Sequence, residues 1–153
     1  MRNMLRNILV AFGAAVITLG AASAQAGDYD YAKGQKAVYQ VNEIDRAWAA
    51  LRNINNHLKA TGTPMEGNID LAVVSHSSGV YMLLKGSTNS HGQLYEPKVQ
   101  ELMSKGVEFL QCANTLRGHG LKKSDLIDGV KIVPSGVAEI AEKQRHGFAY
   151  VKP

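Results

Sequence analysis

Short apolar runs alternate with stretches of helical spacing, and this alternation limits what the chain can fold into. The run Ile69–Val74 is apolar apart from Asp70 and reads as a strand buried on both faces. Lys36–Val41, Val107–Gln111, Val130–Val133 and Phe148–Val151 read as further strands. After the first strand, Ile44, Ala47, Trp48, Leu51, Ile54 and Leu58 recur on one helix face, and Gly62 and Pro64 end the pattern. Asn42 is placed to cap that helix, with Asp45 three residues on. Val80–Leu84 reads as the next helix, Gly86–Gly92 as a loop, and Pro97 as the first turn of a helix carrying Val99, Leu102 and Met103. Leu116–Leu121 reads as a short helix, Ser124 as the cap of a further turn, and Ser135 as the cap of a helix bearing Val137 and Ile140. Strands of about five residues alternating with helices of about ten or more predict an α/β fold with a mainly parallel sheet and helices on both faces.

At 153 residues, 45% hydrophobic and 20% charged, the chain suits one domain with one core. Residues 1–26 read as a signal peptide. Arg2 and Arg6 precede the apolar run Ile8–Leu19, and Ala22-Ser23-Ala24 and Ala24-Gln25-Ala26 place small residues at cleavage spacing. The run is shorter than the ~20 residues that span a bilayer, so no stable membrane anchor is expected. Cleavage after Ala26 leaves a loose leader at 27–35 and a domain at 36–153, exported to the periplasm. It removes two arginines and no acid, so the formal charge falls from +4 to +2. The remaining Lys and Arg are scattered, and nucleic acid is not an expected partner.

The chain has one cysteine, Cys112. In an oxidising compartment it forms no internal disulfide, so the thiol is free, paired between chains or chemically loaded. It sits between a strand and a helix start, on the carboxyl edge where parallel sheets hold ligands. Asn42-Glu43, Ser75-His76 and Pro134-Ser135-Gly136 exit on the same edge. Two readings of Cys112 stay open. One is a small hydrophobe packed at a strand end. The other is a reactive thiolate favoured by helix N–H groups, with Arg117 and His119 adding positive potential. Ser75, Ser77 and Ser78 with Gly79 resemble an anion-binding turn. His76 follows a strand, His91 and His119 lie in glycine-flanked loops, and His57 and His146 read as surface residues. No pair of potential ligands has close metal-type spacing, so no metal or other cofactor is expected. Nucleophile-elbow, phosphate-loop and dinucleotide fingerprints are missing from the sequence.

The stretch Gly106-Val107-Glu108-Phe109-Leu110-Gln111-Cys112-Ala113-Asn114-Thr115-Leu116-Arg117-Gly118-His119-Gly120 resembles the DsrE/DsrF-like sulfur-relay family, in which a strand delivers a cysteine and a short helix follows. The resemblance continues in Ile69–Val74 and in Asp128–Ile140, and covers about Lys36 to Val151. It implies a three-layer α/β/α fold around a five-stranded sheet, usually assembled into trimers or hexamers. It also implies that Cys112 carries sulfur as a persulfide, exchanging it with sulfur donors and acceptor thiols. Ser75, His76, Ser78, Asn114, Thr115, Ser135 and Gly136 are the expected pocket residues. Unlike the best understood relay proteins, which are cytoplasmic, this chain is expected to be exported, and it holds no second cysteine.

Three functions are compatible with these features. The first is a periplasmic sulfur carrier or sulfurtransferase-like protein. The second is a binding module without turnover, holding a metal or small ligand at Cys112 and His76. The third is an interaction protein whose cysteine is only packed.

Overall fold

The computed structural model describes residues 30–153. The expected signal peptide and the first leader residues lie outside that span. The chain forms β1 (Gln35–Val41), α1 (Ile44–Thr61), β2 (Ile69–Ser75), α2 (Glu96–Ser104), β3 (Glu108–Cys112), α3 (Ala113–Gly118), β4 (Lys131–Val133), α4 (Gly136–Arg145) and β5 (Ala149–Val151). The five strands lie in the order β4-β3-β2-β1-β5, and every adjacent pair is parallel.

That order fixes which helix covers which face. The steps from β1 to β4 all move the same way across the sheet, so right-handed crossovers keep their connections on one face. The step from β4 to β5 returns past β3, β2 and β1, which sends α4 to the opposite face. The core divides accordingly. Ala37, Tyr39, Leu71, Val73 and Phe109 pack with Leu51, Ile54 and Val99 of α1 and α2. Val38, Ala72, Val74, Leu110 and Val133 pack with Ile140 of α4. Side chains alternate between faces along a strand, so β2 is buried almost throughout. Its exception, Asp70, is exposed and meets Lys36 at 3.6 Å. The three-layer α/β/α arrangement is therefore present.

Several local expectations change. The residue before α1 is Glu43, whose side chain caps nothing, rather than Asn42. Val80–Leu83 belongs to a 3-10 segment spanning Ser77–Leu83, with Val80, Met82 and Leu83 buried and Tyr81 exposed. The helix expected at Leu116–Leu121 begins directly after Cys112 instead. The turn near Ser124 is held by the Asp125 carboxylate, which accepts from the Lys122 N–H at 2.7 Å. α2, with nine residues, is slightly shorter than the ten or more expected.

Candidate functional site

Cys112 is the last residue of β3 and stands immediately before α3, with φ −66° and ψ 121°. Its backbone is still extended while the next residues turn. Leu110, two residues earlier, faces α4, so the alternation of β3 points Cys112 to the same side. Gly136, the first residue of α4, makes this possible. A Cβ at Gly136 would lie 3.2 Å from the Cys112 Cβ, 3.3 Å from the His76 Cβ and 3.4 Å from Val74. The three strand and helix exits thus converge on one small space.

Cys112 is 5% exposed and is counted among the buried residues of the core. Burial pushes its thiol pKa up. The backbone N–H groups of Gly136, Thr115 and Asn114 and the Thr115 hydroxyl outweigh that effect and hold it below the ordinary thiol value. The side chain makes no cap bond to α3. The expected positive side chains do not contribute. Arg117 donates to the Asn114 Oδ1, and His119 lies edge-on to Tyr81 with its Nδ1 3.3 Å from the hydroxyl.

The Ser77 N–H donates to the Thr115 Oγ1 at 3.0 Å. Ser77 has φ +49° and is the one non-glycine residue with positive φ among the described residues. His76 is half-buried, with Nε2 2.6 Å from the Gln40 Nε2 and Nδ1 3.0 Å from the Ser77 Oγ. A contact between two nitrogens needs one lone pair, which makes Gln40 the donor and leaves the proton on Nδ1, donating to Ser77. Burial, and then the charge of Lys152, hold the His76 pKa below the ordinary histidine value, consistent with that neutral ring. Tyr150 donates its hydroxyl to the Gln40 Oε1 and completes the chain.

The expected pocket residues separate into two groups. His76, Asn114, Thr115 and Gly136 come together around Cys112, and Ser135 adjoins them by capping α4, its Oγ accepting from Ala138 at 3.4 Å. Ser75 pairs with Gln111 in register, so it points to the opposite face from Cys112. Its Oγ and the Gln111 Oε1 are buried without hydrogen bonds among the described residues. Ser78 accepts from the Ile44 N–H at 3.1 Å and donates to the Asn42 carbonyl, which assigns it to the start of α1. Gln40 carried no site signal in the sequence, and Ser77 carried one only as part of the Ser75–Gly79 turn that resembles an anion-binding site. His57, read as a surface residue, is half-buried, and its Nδ1 lies 2.9 Å from the Tyr39 hydroxyl. Among the described residues, no group of three or more His, Cys, Asp and Glu side chains is arranged to hold a metal.

A family model described as the DsrE/DsrF-like family matches residues 30–153. Among solved structures, the protein of unknown function MTH1491 from Methanobacterium thermoautotrophicum is 33% identical, with a TM-score of 0.68 over 78% of this chain and 99% of that one. The ychN protein from E. coli is 23% identical, with a TM-score of 0.64 over 78% of this chain and 99% of that one, and shares the fold. No curated protein matches the chain.

Proposed function

Because the chain belongs to the DsrE/DsrF-like family, we propose that it is a periplasmic sulfur carrier holding sulfane sulfur as a persulfide on Cys112. Family membership supports a sulfur-relay-related role in general. The observation that carries the finer reading is the place of Cys112, at the end of β3 and the start of α3 against Gly136 and His76, where nearby N–H and hydroxyl groups hold its thiol below the ordinary value. A cysteine used only for packing has no need of donors that favour its anion.

The chemistry is thiolate exchange. The Cys112 thiolate attacks the outer sulfur of a polysulfide or persulfide donor. A bond forms between that sulfur and Sγ, the donor's S–S bond breaks, and the leaving thiolate takes the electron pair, so no oxidant is required. An acceptor thiolate then attacks the outer sulfur, and Cys112 departs as the thiolate its donors favour. The acceptor is a separate molecule, since the chain has no other cysteine. Among the described residues β4 and β5 form the sheet edges, and Ile132 and Tyr150 on them are exposed, which supports assembly into a homo-oligomer. Export rests on the pattern of residues 1–26.

Sulfur transfer tests the reading. Protein treated with polysulfide, desalted and offered excess acceptor thiol should release sulfide in proportion to Cys112. Release that is unchanged in a Cys112→Ser variant contradicts it.

A further inference from the structure

We propose that the cavity between α1 and the turn before α2 is a binding site for a short zwitterionic peptide of about three residues. The cavity holds about 500 Å³, within the range of small-molecule sites. Its α1 wall is the stripe Asp45, Trp48, Ala49 and Arg52, at positions i, i+3, i+4 and i+7 of one helix face. Asn89 and His91 line it from the turn. That turn is held by its own bonds: the Asn89 Oδ1 accepts from the His91 and Gln93 N–H groups at 2.9 and 3.0 Å. Tyr95 completes the lining, its ring edge-on to Trp48 at 5.7 Å between centres.

Tyr95 is what marks the cavity as a site. It is 2% exposed, and its hydroxyl makes no hydrogen bond among the described residues. A buried phenol ordinarily finds a partner, and the cavity it lines is where a ligand carbonyl can supply one. Burial, and then the Asp45 charge, hold its pKa above the ordinary phenol value, so at neutral pH it keeps a hydrogen to donate. Charge then selects the ligand. Asp45 and Arg52 are exposed at the two ends of the stripe, and neither makes an ion pair among the described residues. Their helix positions lie about 10 Å apart along the axis. Three extended peptide residues span about the same length. A tripeptide laid along the stripe therefore brings its ammonium to Asp45 and its carboxylate to Arg52. The Lys98 Nζ already lies over the Trp48 ring, 5.1 Å from its centre, which leaves the ammonium to Asp45. The site goes beyond the carrier reading and does not rest on it, because α1 packs on the sheet face opposite α4 and Cys112.

Trp48 is the chain's one tryptophan, so its emission reports on this cavity alone. Triglycine titrated into the full chain should change that emission saturably, and calorimetry of the same titration detects binding to which the ring is silent. N-acetyl-triglycine and triglycine amide each lack one charge and should bind about tenfold more weakly. Asp45→Asn should lose the preference for triglycine over the acetylated form, and Arg52→Gln the preference over the amide, because each cap then removes a contact already gone. Tyr95→Phe, which keeps the ring, should weaken binding about fivefold. A parent that gives neither saturable emission change nor heat with triglycine overturns the proposal, as do capped peptides that bind as well as triglycine. Emission that follows protein concentration instead of peptide assigns the cavity to a second copy of the chain and overturns it equally. Sulfur loading should be unchanged in all three variants, so a parent that fails to load sulfur speaks against the carrier reading and not against this site.

Discussion

Gly136 shows how much a single missing side chain decides at this site. A Cβ there would sit 3.2 to 3.4 Å from Cys112, His76 and Val74, tighter than ordinary packing. Gly136→Val should destabilise the fold by about 2 kcal/mol through overpacking and sharply slow thiol labelling. Denaturant unfolding and alkylation rates measure the two effects, and a variant that labels like the parent would remove Gly136 from the site. Cys112 and Gly136 were legible because each follows a strand run and precedes a helix start, so chain order alone put them on one edge. The contact between Ser77 and Thr115 was not legible, because it depends on a left-handed backbone and an amide, and neither is encoded by residue type. The face of Ser75 was missed for a simpler reason: the strand continues one residue further than the apolar run, and the pleat turns its side chain away from Cys112.

At the scale of elements, the start of α1 is completed from a distant turn. Ile44 lacks a local side-chain acceptor, and Ser78 supplies one across 34 residues while donating to the Asn42 carbonyl. Ser78→Ala should therefore lower stability by about 1 kcal/mol, the usual worth of a helix cap, with sulfur loading unchanged. Loss of loading at unchanged stability would return Ser78 to the cysteine pocket. Long-range capping explains why the sequence pointed to Asn42: local spacing identifies a helix start but not a partner brought in by the fold. The 18-residue α1 was readable from its periodicity, and α2 from its leading proline. The 3-10 segment and α3 were misplaced because both are too short for period to register.

For the molecule as a whole, the single return crossover puts α4 alone on one face and makes the Cys112 space a junction of β2, β3 and α4. The same packing makes stability depend on pH. His57 and His76 are both held below the ordinary histidine value, by burial in each case and by Lys152 also for His76. The unfolded chain then binds more protons than the folded one below about 6.5, so stability falls as pH drops through that value. Urea midpoints should be lower at about pH 5.5 than at about pH 7.5, and His57→Gln should reduce the difference; equal midpoints would contradict the assignment of neutral rings. The central claim is that Cys112 holds sulfur. Intact mass spectrometry after polysulfide exposure tests it most directly. The account predicts a reductant-labile gain of one sulfur atom in the parent and none in Cys112→Ser. A parent protein that gains no sulfur, or a Cys112→Ser variant that gains as much, would contradict it.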